Sequence, residues 1–269
     1  MIQSRERPTA FVIAPTNHGT MIVNRFDYRE TKNGSYGVGF QLLNKQSFDQ
    51  DEVDTVLRLL DARRKSFGDG VFTIDCGANI GVHTVEWARH MHGWGEVLSI
   101  EAQERIYYAL AGNISINNCF NAKAILAAVA DSAAEIDIPN PDYFQASSFG
   151  SMELIKKKGN EYIGQELSYS EDKTSKIKTM TIDSLRLKRV DLIKLDVEGM
   201  EESALLGAMN TIETHKPILV VEHIKSDKAK LISFFREKKY KVFKFGQNFL
   251  SIHSKDPVAA MISDEAIIG

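Results

Sequence analysis

From residue 71 onward the chain alternates short apolar runs with amphipathic stretches, and this alternation restricts it to a layered α/β architecture. Residues 71–76 read as a buried strand, 82–89 as a helix, 96–101 as a second strand and 105–117 as a second helix. Residues 124–129 read as a third strand. Strand 192–196, helix 201–215 with a break near Gly207, strand 218–222 and helix 228–238 follow. Strands separated by helices pair in parallel through right-handed crossovers. Two closing runs, 241–245 and 249–253, flank Gly246-Gln247-Asn248, a hairpin signal that adds an antiparallel strand. The expected fold is an open, doubly wound α/β sheet, mostly parallel with a C-terminal antiparallel hairpin. Ligands of such sheets sit beyond the carboxyl ends of the strands, where the strand order reverses.

Two regions escape the alternation. Residues 1–69 hold β-like pieces (10–13, 20–26, 38–43) and a helix-like stretch (51–65), which predicts a small N-terminal cap for substrate or oligomer contact. Residues 131–176 are polar and irregular, with serine-rich stretches at 147–151 and 168–175, and read either as an inserted lid or binding loop or as a disordered stretch. The sheet domain then spans 70–255, with a tail over 256–269. No internal repeat is present.

Composition narrows the function classes. A chain of 269 residues builds a core of useful size. A formal net charge of -3 lacks the basic surplus of a nucleic-acid binder. The runs Lys156-Lys157-Lys158 and Lys238-Lys239 read as solvated faces. The two cysteines, Cys76 and Cys119, form no C-x-x-C pair, so neither a disulfide framework nor a thiolate metal site is expected. The first residues carry no apolar leader, and no apolar run approaches the ~18 residues that span a bilayer. The expectation is a cytoplasmic protein with no nucleic-acid or membrane partner, compatible with a homodimer.

After the first strand comes Asp75-Cys76-Gly77-Ala78-Asn79-Ile80-Gly81, opening a helix. Glycines let backbone turn sharply and approach a ligand closely, while the helix start offers free N–H groups and a positive dipole end. A nicotinamide-dinucleotide loop reads G-x-G-x-x-G, and that template fails at Asn79. Glu101 ends the next strand, where a carboxylate can take both hydroxyls of a ribose. Together they describe a seat for an adenosine ligand with a polar tail. Either alone also fits a plain turn or a solvated residue.

A second constellation is Leu192-Ile193-Lys194-Leu195-Asp196-Val197-Glu198-Gly199-Met200-Glu201. Lys194 and Asp196 share a face by the two-residue period. Carboxylates at the end of an apolar strand are costly without a role or a partner. The next strand ends in Glu222-His223, expected to face the same cleft, where a His beside carboxylates can act as a general base. His83, His90 and His92 read as surface or packing residues. Asp196, Glu198 and Glu222 could present oxygens to magnesium, but no ligand spacing demands a metal and none is expected.

These blocks, with Thr181-Ile182-Asp183-Ser184-Leu185, resemble the FkbM-type methyltransferases, which are class I, Rossmann-like enzymes that use S-adenosyl-L-methionine. The resemblance covers roughly residues 70–253. It implies that Asp75, Gly77, Ala78, Asn79 and Gly81 line the methionine end of the cofactor, that Glu101 and Ala102 meet its ribose, and that Val129 and Asp131 border its adenine. It places Asp196 and Glu198 beside the transferable methyl. With the residues read above, the catalytic candidates are Asp196, Glu198, Glu222, His223 and Lys194. The acceptor it implies is a hydroxyl on a small molecule, sugar or natural product. Two rivals are a non-catalytic domain that keeps the cofactor, and an amino-methylating nucleic-acid enzyme. The latter's Asn/Asp-Pro-Pro-aromatic signature is missing after the fourth strand.

Overall fold

The computed structural model describes residues 8–32, 34–263 and 266–268. Residues 1–7, read above as lacking a leader, and 264, 265 and 269 of the expected tail lie outside them. The chain forms two compact units. One joins the chain up to residue 48 with residues 137–175, and the other holds residues 49–136 and 176 onward.

In the first unit, β1 (Phe11–Thr16) and β2 (Gly19–Asn24) form a tight antiparallel hairpin in which Thr16 faces Gly19. β3 (Arg29–Thr31) pairs with β4 (Gly34–Tyr36) in a second hairpin. Residues 38–43, expected as a strand, instead form the first turns of helix α1 (Val38–Lys45). Val38, Gly39 and Leu42 are its buried positions, a helical spacing hidden by the β-branched start. Residue 39 must be glycine on space alone, because a Cβ there would lie 2.3 Å from the Asn24 carbonyl oxygen.

The inserted segment is not a free loop. Buried Asp27 accepts hydrogen bonds from the N–H groups of Gly39 (3.0 Å) and Phe149 (3.1 Å), so one carboxylate ties two distant stretches of sequence. Ser147 N–H donates to Phe26 O at 3.0 Å, and Glu161 accepts from Arg29 and Tyr36 at 3.0 and 2.9 Å. Phe149, Met152 and Ile163 are fully buried, an apolar content that the polar average of this stretch conceals.

The second unit begins with α2 (Gln50–Phe67), the helix expected in the N-terminal cap, which here packs on the sheet and its first crossover helix. There follow β5 (Val71–Cys76), α3 (Val82–His90), β6 (Gly95–Glu101), α4 (Glu104–Ile116) and β7 (Ala122–Leu126). The expected strand 124–129 breaks at Ala127, whose N–H donates to Glu101 O at 3.1 Å. β8 (Ala128–Val129) then leaves the main sheet. The chain departs for the first unit along β9 (Glu135–Pro139) and returns along β10 (Thr174–Met180), whose end pairs in parallel with β8.

β11 (Leu192–Leu195), α5 (Glu201–Leu206), α6 (Met209–His215), β12 (Ile218–Glu222), α7 (Lys228–Glu237), β13 (Tyr240–Phe245) and β14 (Asn248–His253) complete the unit. Among the described residues the main sheet has the order β13-β14-β12-β11-β5-β6-β7, with β14 antiparallel to both neighbours. β5 and β11 pair in parallel, Lys194 opposite Asp75, and the chain winds outward from them in both directions. Their carboxyl ends therefore form the switch point. α5 ends at Gly207, which passes so close to the Ala130 carbonyl that a Cβ would meet it at 2.0 Å. Near the opposite end of β11, buried Asp191 binds the guanidinium groups of Arg63 and Arg189, at 2.9 and 2.7 Å, and the N–H of Phe72.

Candidate functional site

Every sequence-derived site residue lies in the second unit, and most gather where β5 and β11 end side by side. Gly77 has φ +74°, and a Cβ on it would lie 1.8 Å from the backbone oxygen of Asp196. No side chain fits between these loops, so glycine here sets how near the two motifs come. The N–H groups of Gly77 and Ala78 both donate to Ile100 O, at 2.9 and 3.1 Å. Asn79 adopts φ +51°, and its side chain accepts from the N–H of Ile80 at 2.7 Å. Gly81, at φ +89°, starts α3.

Glu101 closes the loop from the next strand. Its two carboxylate oxygens accept from Asn79 N–H (2.9 Å) and Gln103 N–H (2.8 Å). Burial raises its pKa to about 7 against these amides. Glu101 thus binds the glycine loop directly, a link that spacing alone does not reveal. Buried Ala102 follows it. Val129 is buried in β8, while Asp131 is exposed and its N–H donates to Ser203 on α5 at 3.0 Å. Among the described residues no side-chain contact joins Asp131 to Glu101 or the loop.

Asp75 is fully buried. One oxygen accepts from Thr84 at 2.6 Å, and Thr84 also bonds Ser99 at 2.7 Å. The other has no hydrogen-bond partner among the described residues. Burial pushes the Asp75 pKa up. Lys194, buried on β11, pairs with Asp196 at 2.7 Å. Burial alone would lower its pKa, but the carboxylates of Asp196, Glu52 and Asp75 hold it above the ordinary range.

Sequence reasoning missed Glu52. It sits on α2, accepts from Asn248 at 2.8 Å, lies 3.5 Å from His83, and has its pKa raised by burial to about 7. An acid on an amphipathic helix is an ordinary solvent-face residue by pattern, so no local signal singled it out.

The turn after β11 is built by Glu201, whose buried carboxylate accepts from the N–H groups of Val197 and Gly199 at 3.1 Å and from Ser226 at 2.5 Å. This holds Glu198 at φ +52° and Gly199 at φ +88°. Glu198 pairs with Lys225 at 2.6 Å, a second residue without a sequence signal, and burial raises the Glu198 pKa well above the usual range. Glu222 has its pKa raised to about 8, by burial and then by Asp196.

Oxygens of Asp196, Glu198 and Glu222 lie within 4.8 Å of one another, yet two of these three carboxylates already hold a lysine. His223 departs from expectation. Adjacent strand residues point to opposite faces, and its ring lies 4.5 Å from Phe249, with burial first and then Lys228 lowering its pKa. It does not join Asp196 and Glu198. Asp183 of the remaining motif accepts from the N–H groups of Asn210 and Thr211, at 2.9 and 2.8 Å, and so anchors α6.

The acidic surplus is the main electrostatic feature. Glu52, Asp75, Asp196, Glu198 and Glu222 face two ammonium groups, Lys194 and Lys225, in largely buried surroundings. Burial raises the pKa of Glu52, Asp75, Glu198 and Glu222, and a cation beside them would favour their charged forms, so such a site favours a ligand carrying positive charge. Among the described residues no helix is long and apolar enough to cross a membrane.

The fold has relatives among known proteins. The structure is similar to the crystal structure of methyltransferase FkbM from Methylobacillus flagellatus KT, with a TM-score of 0.51 and 17% identity over 80% of this chain; it spans 58% of that chain, under two thirds. It is also similar, at TM-scores of 0.42 and 0.41, to precorrin-6y C5,15-methyltransferase from Geobacter metallireducens GS-15 (12% identity; 78% of this chain, 90% of that one) and to magnesium protoporphyrin IX methyltransferase from Synechocystis PCC 6803, solved with bound SAM (14%; 82% and 87%). No curated protein matches the sequence. The sequence matches the Methyltransferase FkbM domain over residues 75–242. Since that match takes in more than half of the sequence and begins at the first residue of the glycine loop, the chain belongs to the FkbM family of S-adenosylmethionine-dependent methyltransferases.

Proposed function

We propose that this protein methylates a hydroxyl group of a small molecule or glycan, with Asp196 as the general base. The observation that carries the reading is the acidic surplus gathered around a glycine loop at the switch point. S-adenosylmethionine has a cationic sulfonium and a cationic α-ammonium, and the surplus carboxylates suit both. The fit has one local support: Asp75 keeps one buried oxygen without a partner among the described residues.

In this reading Asp75, Gly77, Ala78, Asn79 and Gly81 hold the methionine end. Glu101 and Ala102 hold the ribose, and Val129 and Asp131 lie toward the adenine. When bound, the cofactor supplies an electrophilic methyl carbon. The chain's own residues align the acceptor and take its proton. Asp196 is suited to the proton because its side chain is 32% exposed, within reach of an acceptor, while Lys194 fixes one of its oxygens. Lys225 and Glu222 orient Glu198 and the acceptor's other polar groups.

The test is transfer from labelled cofactor to a panel of sugars and hydroxylated natural products, beside calorimetry with S-adenosylhomocysteine. Asp196→Asn is expected to lower kcat by about a hundredfold or more, the scale of a lost general base. Full turnover by that variant refutes the base assignment. Cofactor binding without transfer to any acceptor would favour a non-catalytic cofactor-binding domain.

A further inference from the structure

A second cavity opens at the amino-terminal edge of the main sheet, at the end of β11 and β12 away from Asp196 and Glu222. It measures about 450 Å³, and its polar lining includes Arg63, Arg189, Lys216, His253, Lys255 and Asp256. Nothing in the methyl-transfer reading uses it.

Its back wall is a closed charge network. Arg63 binds Asp191 at 2.9 Å and Asp256 at 2.5 Å, and Arg189 binds Asp191 at 2.7 Å and the carbonyls of Asp69 and Gly68 at 2.8 and 3.2 Å. Two guanidinium groups meet two carboxylates, so this wall is electrically balanced and geometrically fixed. Lys216 and Lys255 at the rim are the surplus. Among the described residues the Lys216 ammonium makes one hydrogen bond, to Glu213 O at 3.1 Å, which leaves two of its N–H groups available. The Lys255 ammonium has no acceptor among the described residues.

His253 supplies a directed donor. Its Nδ1 accepts the N–H of Lys255 at 3.2 Å, so in the neutral ring the proton resides on Nε2. The residue is 95% buried, and Nε2 has no acceptor among the described residues. Tyr240 stands edge-on to the ring at 5.3 Å, and its own buried hydroxyl is also without a partner. Burial and then Lys216 and Lys255 depress the His253 pKa, so the positive field reaches the ring without being cancelled. Unmet donors in a positive field suit an oxyanion.

We propose that this cavity binds the phosphoryl group of a small phosphorylated metabolite, held by Lys216, Lys255 and the Nε2–H of His253. Two surplus cations match the charge of a phosphate monoester, about −1.5 to −2 at neutral pH, whereas a monocarboxylate would leave one cation unmatched. The volume accommodates a compact organic portion beside Phe67 and Val190.

The experiment is calorimetry of the full chain, saturated with S-adenosylhomocysteine so that the glycine loop does not compete, at constant ionic strength. The probes are glycerol 2-phosphate, inorganic phosphate and acetate. Glycerol 2-phosphate is expected to bind saturably and more tightly than inorganic phosphate, with acetate at least tenfold weaker. The double variant Lys216→Gln, Lys255→Gln should weaken glycerol 2-phosphate at least tenfold and leave S-adenosylhomocysteine affinity unchanged. Both lysines are exposed, so the variant is expected to fold. No saturable heat with either phosphate, or equal binding by the variant, overturns the site. Tighter binding of inorganic phosphate than of the ester overturns the metabolite assignment.

Discussion

At the scale of single residues, the glycine at position 77 matters more than the charges around it. Its φ of +74° is in the region that favours glycine, and the space its Cβ would need is occupied by the Asp196 carbonyl. Gly77→Ala is therefore expected to push the two motif loops apart. Calorimetry should show S-adenosylhomocysteine affinity reduced at least tenfold, and denaturation a stability loss of about 1–3 kcal/mol. Unchanged affinity would show that the close approach of the loops is not what forms the seat. The loop, Glu101 and the Lys194–Asp196 pair were legible because each sits at the end of a strand whose apolar run stops abruptly. Glu52 and Lys225 were not, because they reach the site from a helix and a loop through tertiary packing. The His223 ring packs 4.5 Å from Phe249, a direction that its place next to Glu222 in sequence does not give.

Among elements, the sheet and its crossover helices could be read from periodicity, since the inner strands β5, β11, β12 and β14 are buried on both faces and their composition is correspondingly uniform. The first unit could not, because its elements are short and its cohesion comes from hydrogen bonds between distant stretches. Asp27 is the clearest case. Burial raises its pKa to about 6, even though two backbone N–H groups stabilise its charge. Asp27→Ala would remove the acceptor that the buried N–H groups of Gly39 and Phe149 share, at about 1–3 kcal/mol for each lost bond. Hydrogen exchange should then accelerate in both parts of that unit, residues 8–48 and 137–175, and stay unchanged in β5, β6 and β11. Acceleration confined to one of the two stretches would contradict the role of Asp27 as their common anchor.

For the whole molecule, buried acids make stability depend on pH. Glu52 and Glu101 both have folded-state pKa values of about 7, raised by burial from 4.5. A carboxyl with a raised pKa favours the folded state fully below pH 4.5, and that contribution is lost as pH rises through about 7. Each is worth at most about 3 kcal/mol by the pKa difference. Denaturant unfolding of the cofactor-free protein should therefore show stability falling between pH 5 and 7.5. Glu52→Gln should reduce that slope, and an unchanged slope would remove Glu52 as a source. The division of the chain has a different consequence, one of timing. Residues 8–48 belong to a unit that also needs residues 137–175. During synthesis at about 5–20 residues per second, the leading segment emerges from the ribosome and then waits roughly 6–25 seconds for its complement. Through that interval the nascent chain carries half a unit with its apolar face uncovered. Vectorial synthesis therefore exposes residues 8–48 to chaperones before the sheet is finished.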